Sequence, residues 1–236
     1  MQAKSPWPIA PEHGTEGIDI VKSSLDDRRS LSGKPAHRNK SYLGGISRIC
    51  ILDDFVERKL RTALAQLLSR PIWSHGWKSN SAKDRFSYWH THFAGGGKDN
   101  RLSCEKELNR NASLEPVNRL WLALKSGPLK GHEPVRVYAN AHTYGTEGYI
   151  HTDNSDQENY FTTVYFAHSK WIANWAGETI FYNLGQTDIV AAVFPKPGRI
   201  VSFHGALPHC ARAPSRDCPD LRLSLVVKTQ RVDLRS

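Results

Sequence analysis

The chain has no apolar run of about 18 residues, so no helix is expected to cross a bilayer. Its opening stretch, MQAKSPWPIAPEHG, lacks the apolar centre of a secretory leader. The expected location is therefore the cytoplasm. Cysteine is scarce: Cys50, Cys104, Cys210 and Cys218 form no CxxC pair and no zinc-like spacing. Cys210 and Cys218 are close enough in sequence to approach one another, but a reducing compartment argues for free thiols. There is no internal repeat, which excludes a solenoid or propeller. There is also no long run of like charges, which argues against a charged interaction tail.

Hydrophobic residues make up 39% of the 236 positions and charged residues 23%, enough apolar surface for one folded domain. The net charge is +9. Such a balance suits an anionic small molecule or nucleic acid. The positive residues are spread along the chain, however, and no basic strip is interleaved with aromatics. Nucleic acid is thus possible but not favoured, and no membrane partner is expected.

Residues 1–44 are polar, rich in Lys, Arg, Ser, Pro and Gly, and read as a flexible extension. Residues 45–236 read as a single domain. ISRICILDD (46–54) predicts a short strand. A helix is predicted over 53–70, capped by Asp53 or Asp54, with Leu60, Leu64, Leu67 and Leu68 on one face. Pro71 ends it. From Ile72 to Phe93, Trp73, Trp77, Phe86, Tyr88, Trp89 and Phe93 mix with His75, His90 and His92. Such aromatic density suits either a core or a cage around a ligand. Residues 95–97 and those after them predict a loop, and 113–127 a second helix with Ser113 at its cap and Gly127 past its end. From Val135 onward, six short β-rich runs are separated by Gly, Pro and Asn. Helices followed by many short strands predict an antiparallel barrel or sandwich, mainly β with flanking helices in an α+β arrangement.

Within that β-rich part stands His151-Thr152-Asp153. Extended chain puts residues i and i+2 on one side, so the imidazole and the carboxylate can face one ion. A third ligand has to come from a distant strand. His209 follows the run RIVSF in the segment LPHCARAP and is a candidate; with 11 histidines in the chain, others, His204 above all, stay open. Two imidazoles and one carboxylate on one face leave open positions on an octahedral ion, a donor set suited to Fe(II) that activates O2.

The residues around these ligands carry a resemblance. NAHTYG (140–145), HTD (151–153), ENYFTTVYF (158–166), AGET (176–179), FPKPGRIVSFHGALPH (194–209) and RLSLVVK (222–228) follow one another as in the 2-oxoglutarate/Fe(II)-dependent dioxygenases, specifically the prolyl 4-hydroxylase-like group. Residues 135–230 thus resemble that family's double-stranded β-helix core, a jelly-roll or cupin-like fold. The resemblance implies that His151, Asp153 and His209 hold iron. His209 is preferred over His204 because the family leaves several residues between its Phe, here Phe203, and the distal ligand. Arg222 would pair with the distal carboxylate of 2-oxoglutarate and Ser224 would donate a hydroxyl to it. Asn140 would contact the keto acid. His142 stands where relatives often have Tyr, so the departure leaves its part open. Related halogenases carry Gly or Ala at the position of Asp153, so the Asp implies hydroxylation or another oxidation. The implied cofactors are Fe(II), 2-oxoglutarate and O2. The implied reaction oxidises an unactivated C–H bond with release of succinate and CO2.

Three substrate classes fit such a centre: a small molecule such as an amino acid or natural-product intermediate, a prolyl-type peptide, or alkylated nucleic acid. The compact chain favours the small molecule. A barrel that has become a binding module without catalysis is the remaining alternative. Trp171 and Trp175, four apart in the segment joining two strands, are candidate substrate contacts, as are Tyr149, Trp77 and Trp89.

Overall fold

The structure is a computed structural model, and it describes residues 19–23, 48–96, 102–156 and 158–232. In chain order the strands are β1 (Asp19–Ser23), β2 (Arg48–Leu52), β3 (Ser74–Trp77), β4 (Tyr88–Gly95), β5 (His132–His142), β6 (Tyr160–Phe166), β7 (Thr179–Tyr182), β8 (Ile189–Val193), β9 (Ile200–His204), β10 (His209–Ala211) and β11 (Arg222–Arg231). The α-helices are α1 (Arg58–Leu68), α2 (Glu105–Arg110) and α3 (Glu115–Ser126).

Eight strands form one sheet in the order β1-β2-β9-β6-β11-β5-β4-β3, and three form a second in the order β10-β7-β8. Every pairing is antiparallel except β1 with β2. A bridge between His151 and His209 extends the smaller sheet by one more extended segment. The expected mainly-β, double-stranded β-helix architecture with helices outside is what the chain forms.

Side-chain alternation explains the layers. On β5, Val137 and Ala139 join the core under the helices, while Tyr138 joins the core between the sheets. On β11, Leu225 and Val227 face the helices and Val226 faces inward. On β6 the same division sets Tyr165 against Val164 and Phe166. The outer layer is filled by Leu60, Leu64, Leu67 and Leu68 of α1 and by Val117, Leu120, Trp121 and Leu124 of α3. Burying a side chain of this size contributes about 1.5–3 kcal/mol, so this stripe fixes the helices to the large sheet. The smaller sheet contributes Phe181, Ala191 and Val193 to the inner core.

Several local expectations are corrected. Helix α1 starts at Arg58, and Asp53 does not cap it: both its carboxylate oxygens accept from Arg199, each at 2.8 Å. Ser113 does not cap a helix either; Asn111 Oδ1 accepts from its amide at the head of a 3-10 turn, Ala112–Leu114, and α3 begins after that turn. Gly127 lies past the end of α3 as expected. Helix α2 was not anticipated. Within the stretch expected to be an extension, Asp19–Ser23 forms an edge strand on β2, held by backbone pairing while Ile20 stays 43% exposed. The rest of residues 1–44 lies outside the described residues. All four cysteines are free thiols. Among the described residues, no helix is long and apolar enough to cross a membrane.

Candidate metal centre and anion cradle

His151, Asp153 and His209 converge although they come from separate segments. The backbones of His151 and His209 exchange two hydrogen bonds of 3.0 Å, and the Asp153 amide donates to the Gly205 carbonyl at 2.7 Å. Gly205 is required by space: a Cβ there would lie 2.6 Å from Cδ1 of Tyr160. His209 Nε2 lies 3.4 Å from Asp153 Oδ2, and His151 Nε2 lies 3.6 Å from Asp153 Oδ1. One ligand atom from each of the three residues can be chosen so that all lie within 4.8 Å of one another. Among the described residues no fourth His, Cys, Asp or Glu joins the cluster, so the donor set is open rather than closed.

The protonation pattern suits metal binding. His151 Nδ1 donates to the Tyr149 carbonyl at 2.7 Å, and His209 Nδ1 donates to the Leu207 carbonyl at 2.8 Å. A carbonyl only accepts, so each Nδ1 carries a proton and Nε2 is the ring nitrogen turned toward the cluster. Burial holds His209 neutral, its value pushed down to about 3. Burial alone would raise the Asp153 carboxyl, but the Lys228 ammonium holds it well below the usual range. Lys228 pairs directly with Asp153 Oδ2 and donates to Thr162 Oγ1 at 2.9 Å, while Thr162 donates to the same carboxylate oxygen at 2.6 Å. Two imidazoles and one carboxylate, with open positions, fit Fe(II). His204 is not part of this cluster; its ring packs on Phe161.

A cavity of about 60 Å³ adjoins the triad and is bounded by Asn140, His142, Arg222 and Ser224. These four occupy facing positions: Arg222 is opposite His142, and Ser224 is opposite Asn140, on β11 and β5. Arg222 is only 2% exposed. Its Nε donates to the Gly177 carbonyl, and its Nη2 donates to Thr179 Oγ1 at 3.0 Å. Burial pushes it down to about 10, and among the described residues no carboxylate is within ion-pair distance of it. A buried guanidinium without a counter-ion is costly, and a bound anion offsets that cost. His142 is held neutral by burial, its value down to about 3; its Nδ1 donates to the Thr146 carbonyl at 2.6 Å. It therefore presents an acceptor nitrogen, not a second cation. Asn140 Oδ1 accepts from His90 Nδ1 at 2.8 Å.

Other sequence candidates fall elsewhere. Trp77 lines a second cavity, stacked on His90 with centroids 4.1 Å apart. Trp89, the neighbour of His90 on β4, points to the opposite face, is 36% exposed and lines neither cavity. Trp171 and Trp175 also line neither: they are buried edge-to-face against one another, with Trp171 Nε1 donating to the Ala176 carbonyl. Tyr149 contributes its carbonyl to His151 rather than a ring to a cavity wall. Sequence reasoning missed Lys228, Thr162, Gly205 and Arg136. The signal for Lys228 was present, since it shares the parity of Arg222 and Ser224 on one strand.

No family model and no curated protein matches this chain. Solved structures do. A prolyl hydroxylase from Trichoplax adhaerens, in complex with a hypoxia inducible factor oxygen degradation domain peptide fragment, aligns with a TM-score of 0.56 at 14% identity, over 78% of this chain and 83% of that one. An oxidoreductase of the 2OG-Fe(II) oxygenase family from Burkholderia pseudomallei aligns with a TM-score of 0.56 at 15% identity, over 78% and 85%. A prolyl-4-hydroxylase from Pseudomonas putida aligns with a TM-score of 0.52 at 19% identity, over 78% and 92%. The fold is therefore that of the 2-oxoglutarate/Fe(II) oxygenases, prolyl hydroxylases among them.

Proposed function

We propose that this chain is a 2-oxoglutarate- and Fe(II)-dependent oxygenase that hydroxylates or otherwise oxidises a C–H bond of a small molecule. The observation that carries it is the convergence of His151 Nε2, Asp153 and His209 Nε2, with both tautomers set by backbone carbonyls. When bound, Fe(II) with 2-oxoglutarate supplies O2 activation and oxidising power, with succinate and CO2 as by-products. The protein's own residues do the rest. His151, Asp153 and His209 hold three positions of the ion and leave the remainder open. Arg222, fixed by Gly177 and Thr179, takes the distal carboxylate of 2-oxoglutarate through its planar fork, with Ser224 beside it. Asn140 bounds the same space and His142 closes it with a neutral ring. Lys228 and Thr162 hold the second oxygen of Asp153 in place.

A peptide substrate is the second reading. It is supported by neighbours that are prolyl hydroxylases, one of them in complex with a peptide. Succinate release separates the two, measured over a panel of amino acids, proline-containing peptides and methylated oligonucleotides. Turnover with the peptides alone moves the assignment to peptidyl hydroxylation. The iron site itself is tested by anaerobic titration with Fe(II) and 2-oxoglutarate. A weak visible absorption band is expected in the wild type and none in His151→Ala. A band that survives this substitution removes the proposed centre.

A further inference from the structure

The second cavity, about 50 Å³, adjoins the first and shares Tyr88, Tyr138, His151, Asp153 and Lys228 with it, but it alone is lined by Trp77, Arg136 and Tyr160. Its walls include Trp77, Tyr88, Arg136, Tyr138, Tyr160 and Lys228. Arg136 on β5 is directly opposite Lys228 on β11. Like charges in facing positions repel, so the pair requires compensation. Asp153 compensates Lys228. Arg136 has no such partner: it is 9% exposed, its Nε is buried without a hydrogen bond, and no carboxylate of the described residues pairs with it. Asp84, also buried, accepts from the Asn80 amide and makes no ion pair with Arg136.

Two ring faces hold the guanidinium in place. Its carbon lies 5.0 Å from the Trp77 centroid and 4.8 Å from that of Tyr138. Such faces soften the loss of water around a cation, but they accept no hydrogen bonds in the guanidinium plane. The missing element is a planar, anionic acceptor, which a carboxylate supplies.

We infer that Arg136 anchors the carboxylate of a small-molecule substrate whose remaining part lies in the same cavity, beside His151 and Asp153. The anchored ligand is a substrate only if the oxygenase reading above holds. The same carboxylate chemistry could come from 2-oxoglutarate, so the test separates the two sources.

The test uses the full chain as the anaerobic Fe(II)–2-oxoglutarate complex. The probes are L-phenylalanine, L-tyrosine, L-leucine and L-proline, each against its primary amide. Binding is followed by calorimetry and by perturbation of the visible band. At least one acid is expected to bind 10-fold or more tightly than its amide. Arg136→Gln should lose about 10- to 100-fold in affinity for that acid, Arg136→Lys should keep part of it, and the 2-oxoglutarate affinity should move less than about 2-fold. Thermal unfolding of each variant checks its fold; if Arg136→Gln does not fold, Arg136→Lys and the wild-type acid-to-amide ratio carry the test. Equal binding of acid and amide, binding of neither, or a loss confined to 2-oxoglutarate overturns the inference. A wild type without a visible band overturns the oxygenase reading instead; the acid-to-amide comparison by calorimetry without added iron then decides the anion site alone.

Discussion

Lys228→Met keeps the apolar stem of the side chain and removes the charge that faces Asp153. In the metal-free protein Asp153 is then left with the Thr162 hydroxyl as donor and without a cation. The two partners are 6% and 11% exposed, so the pair is shielded from water. Breaking a buried pair by removing one member costs about 3–5 kcal/mol. For a chain of this size that is a fall in Tm of roughly 6–20 °C, at about 2–4 °C per kcal/mol. Iron binding moves the other way. In the wild type a divalent ion has to share Asp153 with an ammonium, and two unit charges 4 Å apart repel by about 4 kcal/mol at an effective dielectric near 20. Lys228→Met should therefore bind Fe(II) at least 10-fold more tightly, and saturating Fe(II) should recover most of the lost Tm. The measurements are anaerobic thermal unfolding with and without Fe(II), and titration on the visible band. The double variant Asp153→Asn/Lys228→Met should regain metal-free stability, because neither charge is left alone. If Lys228→Met is as stable as the wild type without metal, or binds Fe(II) more weakly, then Lys228 is not a competitor for the Asp153 charge.

Three further outcomes follow from the same geometry. Arg222→Met should raise the 2-oxoglutarate requirement by about 10- to 100-fold while leaving Fe(II) binding in the absence of keto acid unchanged, as read by paired titrations. Gly205→Ala pushes a Cβ to 2.6 Å from the Tyr160 ring and should cost about 1–3 kcal/mol in urea unfolding, with weaker metal binding because the Gly205 carbonyl positions the Asp153 amide. The third outcome is acid destabilisation. Burial lowers His90 and His132 to about 4 and His142 to about 3. The unfolded chain takes up these protons near pH 6.5 and the folded chain does not, so stability is full above 6.5 and falls as pH drops toward 4. A loss of about 1 kcal/mol per histidine is expected between pH 6.5 and 5.5, seen as a falling urea midpoint at constant slope; a flat midpoint would contradict it.

The convergence of His151, Asp153 and His209 was legible because their spacing is a property of extended chain. His151 and Asp153 share a side by parity, and the strand before His209 returns it to the same place. That Arg222 and Ser224 share one face was legible from strand parity, and both line one cavity. Arg136 was hidden by its neighbours: in the run VRVY, alternation alone would send the valines to a core and the arginine to solvent. The structure buries both faces of β5, so Val137 goes under the helices and Arg136 with Tyr138 goes between the sheets. Trp171 and Trp175 misled in the opposite sense. They were candidate substrate contacts in a connecting segment, but Trp175 ends a 3-10 turn, Ala173–Trp175, and both rings are buried. A sequence shows parity along one strand; it does not show which segment crosses above it.

The inward face of β11 ties these parts together. Arg222, Ser224, Val226 and Lys228 follow one another there at about 6.6 Å per pair of residues, so the two cations are about 20 Å apart along the strand. Each faces a β5 partner: His142, Asn140, Tyr138 and Arg136. Among the described residues, three buried cations thus turn inward from these two strands, and Asp153 is the one carboxylate paired with any of them. On the proposed reading a divalent ion would add to that positive excess, and dianionic 2-oxoglutarate at Arg222 would remove only part of it. A cationic substrate would have to enter the half of the site that already holds Arg136 and Lys228, at an effective repulsion of several kcal/mol per close pair. The proposed charge balance therefore predicts that amines without an acid group bind poorly and that ligands bringing a negative charge to the Arg136 end are preferred, as the acid-to-amide comparison checks.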